Sequence, residues 1–484
     1  MAVTLTLILS LPVVLWLIVV NFAKRKRAPG PRGFPIIGNA LDIPKDRQWL
    51  TWDHWRKEYG LIYSDRPRAI MVGELVGWGQ GLGYTPGPPN PRFKEFRRLF
   101  SAFIGHRAVE SPDIQTVEQE ENVKLLAKLL DSPDKFMDHT RDSKAAVLLR
   151  LAYGYHPSSE SNDSLGLVKI VEDAMAGFSA ASEPGWWVDS FPLLRHISGL
   201  PFQYAAKKMK QDLDLLYSVP YEYVKTATVM SFISAFLDDK HGQETKEDEN
   251  TVKIAAASLY SGMSRFTSRQ TVSSLNSYFL AMALYPRVQQ KAQAQVDAYL
   301  STINGNSGDL RFPSVSDRPH LRYVEALFLE ILRWQPSVPL GLPHVAKEDD
   351  IYRGCHIKKG TVIWANMWSI LHDEQLFPDP QVFKPERYLN EYGELARNSK
   401  QATTARSAFG FGRRICPGLY LAETSLLVDI ATLLYTMNVS KQEGQDPEPY
   451  YGGFISQESN QRRGANPSMS LFLPALVYVF NRCQ

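Results

Sequence analysis

What the chain has little of narrows its class first. Three cysteines, Cys355, Cys416 and Cys483, are scattered through 484 residues. They are too few and too dispersed for a disulfide framework or a zinc site, so the bulk of the chain is expected in a reducing compartment. Charge is almost balanced: 54 Lys and Arg stand against 51 Asp and Glu, a formal net charge of +3. That gives no argument for nucleic acid as a partner. No repeat, low-complexity run or linker-like stretch divides the sequence. A prior of roughly 150 residues per domain suggests about three domains, but without a boundary one large domain behind an anchor is the simpler reading. What is present, 44% hydrophobic and 22% charged residues, is ordinary globular composition with ample material for a core.

One apolar run departs from that average. Ala2 to Phe22 carries no charged residue and has about the length of a membrane-spanning helix. Lys24, Arg25, Lys26 and Arg27 follow at once. Positive charge on that flank predicts a cytoplasmic exit, hence a transmembrane signal anchor over residues 1–23 with a lumenal N-terminus. A cleaved signal peptide is the alternative, against which stand the basic cluster on the wrong side and the want of a small-x-small cleavage site. Residues 24–39 form a basic, proline-rich hinge that cannot continue the helix.

The stretch that organises the chain lies near the other end: Phe409-Gly410-Phe411-Gly412-Arg413-Arg414-Ile415-Cys416-Pro417-Gly418. After it Leu419, Ala422, Leu426, Ile430, Leu433 and Leu434 recur at helical spacing, so Cys416 is placed just before a buried helix N-terminus. Unpaired N–H groups and the positive dipole end there favour a thiolate, while Gly412 and Gly418 let backbone approach a flat ligand closely. A buried structural cysteine in a glycine-rich turn is the plainer reading of an isolated cysteine.

The pattern Phe-x-x-Gly-x-Arg-x-Cys-x-Gly, filled by Phe409, Gly412, Arg414, Cys416 and Gly418, resembles the haem-binding signature of the cytochrome P-450 family. The resemblance implies a mainly α fold with small β-sheets, a catalytic domain over residues 40–456, and haem iron ligated by Cys416. It also implies that Phe409 packs on the sulfur and Arg414 pairs with a haem propionate. Thiolate ligation pushes electron density onto the iron and favours O–O cleavage. Other segments fit in order. Residues 28–39 resemble the hinge of microsomal members, and Trp49 to Tyr59 the first helix. Gly60 to Pro67 then follows too soon: two strands and a helix of the family have no counterpart, by a shortened sheet or a defective gene model. Arg92 to Arg98 resembles the helix whose arginine binds a propionate, with Arg97 at the matching position; its basic face is where an acidic electron donor would dock.

From Thr116 to Phe236 amphipathic helices alternate with loops, among them Ala174 to Ala181 and Tyr204 to Tyr223, as in a variable lid over a substrate. Phe178, Trp186, Trp187 and Phe202 suit either a pocket or the core. Thr251 to Leu284 reads as the family's long distal helix, but its middle departs from the pattern. Aligned from downstream, Arg269-Gln270 fall at the acid–threonine pair; aligned from upstream, Arg265-Phe266 do. Neither supplies a carboxylate, and Gln270 or Thr271 would at best order a water for proton delivery.

Ser316-Asp317-Arg318-Pro319 carries helix-start signals before a buried stripe of Val324, Leu327, Phe328 and Ile331. Glu330 and Arg333 fit the family's Glu-x-x-Arg motif, and Arg387 in Phe383-Lys384-Pro385-Glu386-Arg387 completes a structural triad; an i,i+3 pair alone is usually a solvated surface pair. His344 matches a propionate-binding position. Tyr352 to Ile357 and Thr361 to Trp364, separated by Lys358-Lys359-Gly360, read as strands. Tyr450 to Ser456 resembles a substrate-contacting loop, and residues 457–484 are an atypical tail.

Gly73 to Trp78 and Arg333 to Pro336 look like fungal microsomal members related to O-methylsterigmatocystin oxidoreductase. The resemblance thus implies a monooxygenase on the endoplasmic reticulum, single-pass with its catalytic domain cytoplasmic. It would take electrons from NADPH through a reductase and act with O2 on an apolar substrate, polycyclic aromatic or secondary metabolite. A haem-thiolate isomerase or dehydratase of peroxides, and an inactive haem-binding product of a faulty gene model, remain the alternatives.

Overall fold

The computed structural model describes residues 69–85, 90–156, 166–182, 185–227, 229–240, 245–261, 269–307, 311–352 and 355–441. The anchor, the hinge, Trp49 to Tyr59, Gly60 to Pro67, the Tyr450 to Ser456 loop and the tail lie outside these residues. Within them the chain is mainly helical with two very small sheets. The first long helix, α1 (Pro91–Ile104), starts as its sequence dictates: the Asn90 side chain accepts from the N–H groups of Arg92 and Phe93, and Pro91 holds the first helical position. Its basic face is divided between roles. Arg92 pairs with Glu247 at 2.7 Å and Arg98 with Glu95 at 2.8 Å, while Arg97 turns inward.

Next come α2 (Pro112–Asp131), α3 (Phe136–Tyr153), α4 (Leu167–Ser182), α5 (Pro201–Thr226) and α6 (Phe232–Lys240). The two helical stretches read within Thr116 to Phe236 are α4 and α5, and α4 packs along α5. The four aromatics left open divide. Phe178 meets Trp78 edge-on at 4.9 Å, Trp186 donates to the Ala180 carbonyl, and Phe202 packs on the core. Trp187 is 68% exposed and stacks on Phe191.

The two ends of the long distal helix are α7 (Lys246–Ser261) and α8 (Arg269–Leu284), with residues 262–268 outside the described ones. After α9 (Pro286–Ser307), one expectation is corrected. Val315–His320 is a separate 3-10 turn, in which Asp317 folds back to accept from the Ser314 N–H at 2.8 Å, and α10 (Arg322–Trp334) begins only after Leu321. The polar start signals serve the turn rather than the helix. The apolar stripe of α10 is real, but every residue from Tyr323 to Trp334 is buried, its charged ones included.

A second correction concerns the strands. Tyr352 to Ile357 is no single strand: β2 (Asp350–Tyr352) turns back on β3 (Cys355–Ile357), Tyr352 pairing with Cys355. The other run contributes β4 (Val362–Ile363), whose partner is β1 (His344–Val345), His344 opposite Ile363.

The chain ends its described part with α11 (Lys400–Arg406) and α12 (Leu419–Thr436). By composition α12 is long and apolar enough to cross a membrane, yet Leu421 through Leu434 are all buried within the protein. Glu423 and Asp429 on it are held in ion pairs, which suits a core helix.

Candidate active site around Cys416

Between α11 and α12 the chain makes a tight loop that delivers one thiol. A 3-10 turn at Ser407–Phe409 ends at Gly410, whose φ of +86° and ψ of −166° are open essentially to glycine alone. Gly412, at φ +55°, opens a second 3-10 turn. The loop then closes on itself: the Cys416 N–H donates to the Phe409 carbonyl at 2.9 Å, and Cys416 lies three residues ahead of the first residue of α12. Gly418, buried at an ordinary φ of −88°, is the N-cap of that helix.

The thiol forms part of the wall of a partly open cavity of about 110 Å³. Phe100 and Ile104 of α1, Ser258 and Leu259 of α7, and Thr271 and Ser274 of α8 face it from other elements. Leu332 of α10 and Ser337 and Val338 just after it flank the cavity, and Ala408, Phe409, Pro417, Gly418, Ala422 and Leu426 accompany Cys416. The polar side chains there are the hydroxyls of Ser258, Thr271, Ser274 and Ser337, with Ser274 and Ser337 at 3.4 Å. Among the described residues this wall carries no carboxylate. Gln270 is in α8 beside Thr271, its side chain outside the described set.

A donor set of one thiol in an apolar slot is chemically selective. Among the described residues no group of three or more His, Cys, Asp or Glu could hold a bare metal ion. A single sulfur therefore suits a metal that brings its own equatorial ligands, as haem iron does. The expected lowering of the thiol pKa is corrected: burial pushes the Cys416 thiol up, and the Gly418 N–H and the Arg97 guanidinium offset this only in part. Metal binding displaces that proton, because the ligand must be a thiolate.

The predicted cationic residues surround the loop without being in the cavity wall. Arg97 donates from Nη1 to the Ile415 carbonyl at 2.8 Å and pairs with no carboxylate among the described residues. Arg414 donates to the carbonyls of Leu82 (3.2 Å) and Thr85 (2.5 Å), and its guanidinium lies 4.4 Å from the centre of the Phe93 ring. The arginine thus fastens the cysteine loop to the segment before α1. Arg414→Ala is expected to lower the unfolding free energy by about 1–2 kcal/mol, from the lost hydrogen bonds and ring contact. It would appear as a lower urea midpoint at unchanged slope; an unmoved midpoint would show that the tether carries no stability. His344 stands in β1, half-buried.

Glu330, Arg333 and Arg387 do come together. Arg333 binds Glu330 through two bonds of 2.8 Å, and Arg387 Nε reaches Glu330 at 3.2 Å. Both Glu330 and Arg333 are fully buried, far from the solvated pair that i,i+3 spacing usually gives. Two partners escaped sequence reasoning: the Tyr388 hydroxyl (3.1 Å) and the Lys384 N–H (2.8 Å) also donate to Glu330. Arg333 in turn donates to the carbonyls of Leu371, Pro380 and Val382, locking the segment that leads toward the cysteine loop. A second network was missed altogether. Fully buried Glu325 takes Arg318, Arg397 and Arg406 at 2.8–3.0 Å, and Arg318 and Arg406 also reach Glu423 of α12.

The Cytochrome P450 family model matches residues 89–462, running past Ser456, where recognisable phrases end. Cytochrome P450 monooxygenase 208 of Postia placenta is 37% identical over 472 residues, covering 88% of each chain. Cytochrome P450 monooxygenase claR of Ampulloclitocybe clavipes is 36% identical, over 87% of this chain and 82% of its own. Cytochrome P450 monooxygenase COX2 of Coprinopsis cinerea is 33% identical, over 88% and 85%. With a thiol-walled cavity, a buried Glu-x-x-Arg lock and these relatives, the chain belongs to the cytochrome P450 family of haem-dependent monooxygenases.

Proposed function

We propose that this chain inserts one oxygen atom from O2 into an apolar substrate, drawing electrons from NADPH through a separate reductase, with Cys416 as the residue that would hold the haem iron. The observation that carries this is the cavity wall itself: one thiol, held by the loop closure onto Phe409, set among apolar side chains with hydroxyls on α7 and α8. Bound haem supplies the dioxygen chemistry, and thiolate ligation tunes it. The chain's own residues do the rest. The closure to Phe409 and the start of α12 fix the sulfur. Arg97 and Arg414, with His344 from β1, are the cations and donor we assign to the propionates. Phe100, Ile104 and Leu259 keep water from an apolar guest. The catalytic domain is read as residues 40–456 behind a cytoplasm-facing hinge and an endoplasmic reticulum anchor over residues 1–23.

Proton delivery at this wall falls to alcohols. Thr271 is 4% exposed and in the wall, but it is an alcohol with no acid beside it among the described lining. Expected is a chain that consumes more NADPH than it makes product, the balance appearing as hydrogen peroxide. Each tenfold loss in the productive step corresponds to about 1.4 kcal/mol of barrier. The test uses isotopically labelled O2, a fungal NADPH reductase and a panel of polycyclic and terpenoid substrates, with NADPH, peroxide and labelled product measured together. Reductase-dependent incorporation of one labelled atom supports the proposal. Turnover of an organic hydroperoxide without reductase, and no labelled product, would replace it with peroxide isomerisation or dehydration.

A further inference from the structure

A second group of ionisable side chains is buried away from the cavity, where α2, α3 and α12 meet. Lys144 of α3 and Asp429 of α12 form an ion pair, Nζ to Oδ1 2.7 Å, with side chains 3% and 1% exposed. Beside them Glu118 of α2 is 2% exposed, and neither of its carboxyl oxygens meets a partner at hydrogen-bonding geometry. Ser425 of α12 lies close enough to favour the ionised form slightly. The narrow space lined by Glu118, Gln115, Gln119, Ser314 and Val428 is too tight to hold a water that could serve instead.

Three ionisable groups in one dry place cannot all carry charge cheaply. One cation and one anion balance; a second carboxylate adds a negative charge with no second cation to receive it. The charged groups that face Glu118 are Lys144 from α3, which favours its ionisation, and Asp429 from α12, which opposes it. From the turn before α10 only Ser314 and Val315 reach the space.

We propose that Glu118, Lys144 and Asp429 form a proton-operated clamp that seats α12, the helix directly after Cys416. With Glu118 protonated the cluster is neutral and the helix is held against α2 and α3. When the proton leaves, the surplus charge loosens that contact. Burial pushes Glu118 up to about 8 from its ordinary 4.5, which places the change at mildly alkaline pH. In the unfolded chain the same carboxyl ionises near 4.5, so between the two values the folded form binds more protons. Stability from this group is therefore complete below pH 4.5 and is lost as pH rises toward about 8.

The clamp does not depend on the role given to Cys416, and its test keeps the two apart. Purified haem-loaded wild type and Glu118→Gln are melted across the pH range, and hydrogen exchange of the α12 amides is followed in both. The two proteins should melt alike in acid. The variant should become the more stable by a few degrees as pH rises, the gap levelling off above about pH 8. Over the same range α12 should exchange faster in wild type than in the variant. A gap that is the same at every pH, or a variant that is less stable in alkali, overturns the clamp. So does equal exchange along α12. Should the variant fail to fold, the infrared carbonyl band of a buried protonated carboxylic acid in wild type decides: it should be present at neutral pH and titrate away in mild alkali. Its absence overturns the proposal equally.

Discussion

Cys416→Ala is expected to abolish the thiolate-type absorption of the reduced, carbon monoxide-bound protein and to lower product formation by on the order of a thousandfold, about 4 kcal/mol of barrier. The size follows from the donor set. Among the described residues the cavity wall offers one thiol and no His or carboxylate, so alanine removes the one soft metal ligand they supply. Removing a small, half-buried thiol from a cavity wall costs little packing. The loop should persist, because its closure runs through the Cys416 backbone N–H to Phe409 rather than through the sulfur. Haem content and secondary structure measured alongside the spectrum separate loss of the ligand from loss of the fold. If variant and wild type share one spectrum, the iron is bound elsewhere and the site assignment is wrong.

Glu330→Ala should come close to unfolding the protein. Five hydrogen bonds converge on this carboxylate, from Arg333 twice, Arg387, Tyr388 and the Lys384 N–H. Deleting it strands the Arg333 guanidinium in a fully buried site, a change that typically costs about 3–5 kcal/mol. Total stabilities run to about 5–15 kcal/mol, so most of the margin is at stake. Replacing both Glu330 and Arg333 with leucine should not restore it, although apolar replacement of buried pairs often does elsewhere. Here Arg333 also satisfies the carbonyls of Leu371 and Pro380, which leucine would leave unpaired. Urea unfolding of both variants against wild type checks this. A shift under about 0.5 kcal/mol, the scale of a surface substitution, would mean that the lock is replaceable.

How much of this was legible in the sequence depends on how local the signal is. Cys416 and its loop were, because ten consecutive residues carry the pattern and a periodic apolar helix follows. Glu330 and Arg333 were paired by their spacing along one helix turn. Their burial was not legible, since it is set by segments 40 to 60 residues further on, where Leu371, Pro380, Lys384 and Tyr388 supply partners. Gly410 was passed over in favour of Gly412 and Gly418 because composition does not reveal which glycine must adopt a conformation closed to other residues. Asp317 and Pro319 looked like the opening of a helix. Asp317 completes the cap of a 3-10 turn that contains Pro319, and the local chemistry of such a cap is the same. Glu118 reads as a solvated acid in an amphipathic helix, and only the arrival of α12 makes it a buried one.

The tether from Arg414 to Leu82 spans 332 residues of chain, and that sets an order of events in the cell. At about 5–20 residues per second of synthesis, the segment before α1 waits roughly 15–65 seconds for the arginine that fastens it. Arg97 waits nearly as long for Ile415, and Lys144 for Asp429. Until then the walls of the cavity exist only as separate apolar faces on a growing chain. Haem is therefore captured late, after α12 has arrived, and the nascent protein depends for that interval on whatever keeps such faces from meeting one another.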